Sequence, residues 1–139
     1  HRLQLETNAT VWLDGVPGLF DHLTLSPKLP GSGEGRSWND EVLRKYLSFR
    51  GPVMELKLVI ASPEDLEEAG RRLETLGLGP ETPVVLQPNG LGSDPSGFGR
   101  WMAEEAACRG GAFAGPLGKL DVRILGQWQR IYWAGERGR

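Results

Sequence analysis

The sequence predicts an α/β fold built on a mostly parallel sheet. Three observations carry that reading. Five short runs are apolar or strictly alternating, as strands are. Three of the intervals between them hold amphipathic patterns with helix start and stop signals. The resulting order is strand, strand, helix, strand, helix, strand, helix, strand. With 139 residues and 39% apolar content, the chain is long enough for one domain with a real core.

Residues 2–7 alternate, with Leu3 and Leu5 opposite Gln4 and Glu6, and predict the first strand. The segment 11–21, broken by Gly15, Pro17 and Gly18, has room for one helical turn at most. Residues 23–25, Leu-Thr-Leu, form the second strand, which Pro27 stops. Residues 29–36 are rich in Gly, Pro and Ser and predict a loop. Ser37 with Asp40 three residues on resembles a capping box, and Val42, Leu43, Tyr46 and Leu47 follow at helical spacing until Gly51-Pro52.

Residues 53–61 give the plainest strand, whose second half reads as apolar on both faces, as in a buried parallel strand. Ser62 then caps a helix with Pro63 in its first turn and Glu64 and Asp65 near its positive end. Leu66, Ala69, Leu73 and Leu76 mark its buried stripe, and Gly77 ends it. Residues 83–86 predict a short buried strand that ends before Gln87-Pro88-Asn89-Gly90. Asp94-Pro95 caps another helix, with Phe98, Trp101, Met102 and Ala106 on one side and Gly110-Gly111 at its end. Residues 120–125 are the last strand.

Parallel strands bring their C-terminal ends to one edge, where α/β proteins bind ligands. Three polar clusters fall there: Glu6-Thr7-Asn8, Ser26-Pro27-Lys28 and Gln87-Pro88-Asn89-Gly90. Lys28 suits a carboxylate, and Gln87 and Asn89 suit the donor and acceptor edge of a heterocycle. Taken singly, each cluster also fits a plain strand exit with a solvated lysine or amide. Their shared edge is what points to a polar, zwitterionic ligand.

Composition excludes several classes. A net charge of -2 and scattered basic residues give no electrostatic case for nucleic acid. No apolar run approaches the ~20 residues of a membrane span. The sequence has no nucleophile elbow or P-loop, and Gly31-Ser32-Gly33 does not open a helix as a dinucleotide fingerprint would. His22 has no His or Cys partner at zinc-ligand spacing. The one cysteine, Cys108, excludes a disulfide framework and reads as an inert, partly buried thiol in a reduced, cytoplasmic setting. The five tryptophans read as packing residues. A start at His1, already close to a strand, reads as a chain cut from something longer.

Glu6-Thr7-Asn8-Ala9-Thr10, Ser26-Pro27-Lys28 with Pro30-Gly31-Ser32-Gly33, Glu55-Leu56-Lys57-Leu58-Val59-Ile60, Leu86-Gln87-Pro88-Asn89 and Val122-Arg123-Ile124-Leu125 followed by Gln127 occur in that order through nearly the whole chain. As an ordered set they resemble the radical S-adenosylmethionine (radical SAM) family of 7-carboxy-7-deazaguanine synthases (QueE). The resemblance implies the C-terminal portion of a partial (β/α) barrel, with the cluster-binding part N-terminal to it. It implies conversion of 6-carboxytetrahydropterin to 7-carboxy-7-deazaguanine, on the route to queuosine, through a 5′-deoxyadenosyl radical and ring contraction. S-adenosylmethionine, a [4Fe-4S] cluster and Mg²⁺ are the implied cofactors, with the cluster and Mg²⁺ ligands outside this chain. A reductant such as flavodoxin and a homodimer are the implied partners.

Residue by residue, the resemblance assigns Ser26, Pro27, Lys28, Gln87, Pro88, Asn89 and Gly90 to S-adenosylmethionine. It assigns Glu6, Asn8 and Gln129 to the pterin. Gln129 stands where the family often has a histidine, so the position hydrogen-bonds but does not titrate near neutral pH. One cysteine does not hold a cluster that needs three, so this chain alone starts no radical chemistry. Two other readings stay open: a non-catalytic half-barrel that serves as a binding subunit, and a related radical SAM activase or reductase with another substrate.

Overall fold

The structure is a computed structural model and describes residues 1–32, 38–89 and 95–126. Its centre is a five-stranded sheet in the order β1-β2-β3-β4-β5, parallel throughout. The strands are β1 (Gln4–Thr7), β2 (His22–Leu25), β3 (Val53–Ile60), β4 (Val84–Pro88) and β5 (Val122–Ile124). Three helices connect them: α1 (Asp40–Ser48), α2 (Pro63–Leu76) and α3 (Pro95–Cys108). The β1–β2 connection holds only a 3-10 turn, Pro17–Leu19. No described helix is long and apolar enough to cross a membrane.

The strand order never reverses. Parallel crossovers are right-handed, so successive connections without a reversal fall on one side of the sheet. The core agrees. Leu23, Leu25, Leu56, Leu58, Ile60, Val84 and Leu86 share one cluster with Val42, Leu43 and Tyr46 of α1, Leu66, Ala69, Leu73 and Leu76 of α2, and Met102 of α3. The strand pleat puts the alternate residues on the other face. That face carries Gln4, Glu6, Thr24, Glu55, Lys57, Val59, Val85, Gln87 and Arg123. β3 is therefore two-faced through Glu55 and Lys57, which turn away from the helices, and apolar on both faces only over its last residues, Leu58, Val59 and Ile60.

Several boundaries differ from expectation for identifiable reasons. α1 is capped by Asn39, whose side-chain oxygen accepts from the Val42 amide at 3.2 Å; Ser37, the expected cap, lies outside the described residues. β4 runs on through Gln87 and Pro88, opposite Val59 and Ile60. Proline is tolerated there because the Asn89 amide bonds to Ile60 on the β3 side, while the N–H that Pro88 lacks would face β5 beyond that strand's end. Cys108 is exposed, not partly buried: it follows Ala106 by two residues, about 200° round the helix from the packed stripe. Trp12, Trp38 and Trp101 do pack against the core, whereas Trp128 and Trp133 lie outside the described residues.

α2 begins as expected. Ser62 accepts from the Asp65 amide at 3.2 Å, and Gly77 closes the helix in the left-handed region at φ 71°. The Asp65 side chain has a second task. It is 5% exposed and accepts from the Ala61 amide at 3.0 Å and from the Gly31 amide at 3.2 Å. One carboxylate thus fastens the loop after β2 to the β3–α2 turn. A Cβ at Gly31 would fall on the Asp65 carboxylate, so a larger residue there would displace that side chain from its two amides.

Asp65→Ala should cost about 1–3 kcal/mol in urea unfolding, because it removes the two charge-assisted hydrogen bonds by which a buried carboxylate joins the loop after β2 to the β3–α2 turn. Gly31→Ala should destabilise by a similar route, and the two losses should not add. Tyr46 gives a pH signature. Its hydroxyl donates to the Val11 carbonyl at 3.2 Å, and burial raises its pKa above the ordinary 10.0. Its contribution is complete below the unfolded value and is lost as pH rises through the raised folded one. Tyr46→Phe should cost about 0.5–1.5 kcal/mol at neutral pH and remove part of the alkaline loss of stability.

Candidate functional site

A sheet without a strand-order reversal has no crevice between helices of opposite faces. The place left for a ligand is the polar face itself, toward the C-terminal strand ends. Two linked groups of side chains occupy it. In the first, Gln4 Nε2 donates to Thr24 Oγ1 at 3.5 Å, and that hydroxyl donates to Glu55 Oε1 at 2.9 Å. The three residues lie side by side or diagonally on β1, β2 and β3. In the second, Lys57 Nζ meets Glu6 Oε1 at 2.6 Å. This ion pair reaches from β1 to β3 across the intervening strand.

Ser26 sits in the gap that the ion pair spans. Its amide continues the ladder by donating to the Thr7 carbonyl at 2.6 Å, and the pleat carries its side chain to the Thr24 face. Leu25 pairs with Leu56, so the next row sets Ser26 beside Lys57. Ser26 is 4% exposed, and its hydroxyl has no hydrogen-bond partner among the described residues. A buried hydroxyl without a partner costs free energy that the fold does not recover elsewhere. His22 Nδ1, on the same face, is likewise buried without a partner among the described residues.

The remaining predicted residues divide. Asn8 is exposed, and its side-chain oxygen accepts from the Thr10 amide at 3.4 Å and the Thr10 hydroxyl at 3.0 Å. It holds the turn in which buried Ala9 adopts φ 53°, a left-handed conformation unusual for alanine. Pro27 is buried and Lys28 half-buried, and Lys28 has no ion-pair partner among the described residues. Gln87 shares the polar face with Glu6 but does not stand beside it. It pairs with Val59, four residues past Glu55, which is in the row of Thr24 and Glu6. On strand geometry that is about 13 Å further along and about 14 Å across. Pro88 points to the helical side and packs near Gly99, while the Asn89 amide bonds to Ile60 at 2.7 Å. Gly90 and Gln129 lie outside the described residues.

Lys57, Glu55 and Thr24 were not singled out as site residues by the sequence reading. The available signal was the Glu55-x-Lys57 alternation within β3, which marks a polar face. The groove lined by Leu73, Glu74, Leu78, Pro116, Lys119 and Leu120 is remote from all of them, against the C-terminal part of α2.

The orphaned Ser26 hydroxyl and the charged pair beside it fit a polar cofactor such as S-adenosylmethionine. A [4Fe-4S] cluster does not fit these residues, since the one cysteine stands alone at the end of α3. Among the described residues no three His, Cys, Asp or Glu side chains gather as a metal site. No protein-family model matches the chain, and no curated protein matches it.

Ser26→Ala separates a binding role from a structural one. The variant should be as stable as the parent or up to about 1 kcal/mol more stable, because it removes an unpaired buried hydroxyl. A clear fall in the urea midpoint would mean that the hydroxyl is bonded in the folded protein.

Proposed function

We propose that this chain is the C-terminal part of a radical SAM enzyme, in a partial (β/α) barrel. Its reaction is the conversion of 6-carboxytetrahydropterin to 7-carboxy-7-deazaguanine with release of ammonia. The observation that supports the reading is the Ser26 hydroxyl of the Ser26-Pro27-Lys28 strand exit, buried and without a partner among the described residues, one row past the Thr24–Glu6 pair on the face away from the described helices. A singly wound parallel sheet with helices on one side supports it, because that is how a barrel wall is built.

In this reading Ser26 and Lys28 hold the cofactor, with Gln87 and Asn89 further along the same strand-end edge. Glu6 accepts hydrogen bonds from the pterin. S-adenosylmethionine, when bound and reduced, supplies the 5′-deoxyadenosyl radical. The residues of this chain bind, orient and exclude water. The cluster, its cysteines and Mg²⁺ belong to other parts of a longer protein, and a flavodoxin-type reductant and a dimer partner complete the assembly.

The test is turnover by the intact protein. Reconstituted anaerobically with iron and sulfide, and given S-adenosylmethionine, reductant and 6-carboxytetrahydropterin, it should form 7-carboxy-7-deazaguanine. Cofactor cleavage without that product would point to another substrate, and no cofactor binding would end the reading. Lys28→Ala should weaken S-adenosylmethionine binding about tenfold by calorimetry, the loss expected for one charge-assisted contact.

A further inference from the structure

The Glu6–Lys57 pair is built unlike the other ion pairs among the described residues. Glu41–Lys45, Glu68–Arg71, Glu68–Arg72 and Asp121–Arg123 join near neighbours in sequence, as helix-surface and strand-surface pairs do. Glu6–Lys57 instead joins β1 to β3 across a strand. Its two ends are unequal: the Lys57 side chain is 23% exposed and that of Glu6 is 52% exposed. The ammonium is the more enclosed partner, and the carboxylate reaches in to it. Beside them lies the Ser26 hydroxyl, buried and without a partner.

From this geometry we infer that Lys57 is the anion-binding group of the polar face and that Glu6 is its resident counter-ion in the absence of ligand. The ligand it takes carries a carboxylate close to N–H donors. On binding, the ligand carboxylate replaces Glu6 at Lys57 and uses the Ser26 hydroxyl as a second donor. Glu6, released, accepts from the ligand's N–H groups. Lys57, the more enclosed of the two charges, keeps a carboxylate beside it throughout, and the released charge is that of the more exposed Glu6. A ligand lacking the carboxylate leaves the resident pair intact and gains nothing from Lys57.

The inference rests on the ligand reading above and extends it, since Lys57 had no assigned role there. Two molecules of that reading have the required chemistry: the amino-acid end of the sulfonium cofactor and the carboxylated pterin. The experiment separates them. Calorimetry on the intact protein would compare S-adenosylhomocysteine with 5′-methylthioadenosine, which lacks the amino-acid end, and 6-carboxypterin with pterin. For one of the two couples, the parent protein should prefer the carboxylated member by about tenfold or more. Lys57→Met should abolish that preference while binding the carboxylate-free member as the parent does. If Lys57→Met does not fold, the double variant E6Q/K57M removes both charges together and should show the same loss of preference. An unchanged preference in the variants would overturn the inference and leave the proposed function standing. Failure of the parent to bind any of the four compounds would overturn both.

Discussion

Right-handed crossovers between parallel strands in sequential order are the constraint from which the other features follow. Once β1 to β5 are laid down without a reversal, the connections share one side of the sheet. Every strand must then be apolar on that side and is free to be polar on the other. Leu23 and Leu25, Leu56, Leu58 and Ile60, and Val84 and Leu86 meet the first demand. Thr24, Glu55, Lys57 and Gln87 use the second freedom. A helix on each face would have buried those side chains at a cost that few pairs repay.

The polar face is therefore a consequence of topology, but its contents are not. Gln4, Thr24 and Glu55 satisfy one another in a chain of hydrogen bonds. Glu6 and Lys57 neutralise one another. Ser26 does neither, although it is as buried as a core leucine such as Leu66. The backbone around it is held firmly. Asp65 ties the loop beyond it to the start of α2, and Thr7 receives its amide. A rigidly placed group with unused hydrogen-bonding capacity is what a binding site needs before its ligand arrives.

Much of this was legible in the chain. Strand and helix order, the Ser62 and Gly77 caps and the one-turn β1–β2 connection follow from local chemistry, and the structure has all of them. That Glu6, Ser26 and Gln87 fall on one face also follows once the strands are parallel, but the stagger that sets Gln87 far along from Glu6 does not. What did not follow depends on register and on distant partners. Alternation alone left β3 ambiguous, because Leu58, Val59 and Ile60 are apolar in succession and hide the polar stripe through Glu55 and Lys57. The ion pair of Lys57 with Glu6 needs the stagger of three strands to be known. Asp65 looked like a helix-start acid, and nothing local to it names Gly31 as its second partner. The sequence pattern ends β4 at Leu86, and only the early end of β5 explains why the strand runs on through Pro88.

The proposed function requires that ligands bind on the face away from the described helices, at the rim where Ser26 stands. Hydrogen–deuterium exchange on the intact protein, with and without saturating S-adenosylhomocysteine, tests it most directly. Binding there should slow exchange in the Ser26–Gly31 stretch and at the end of β3, with α2 unchanged beyond its first turn. Protection confined to the helices, or none along that rim in a protein that demonstrably binds the compound, would contradict it.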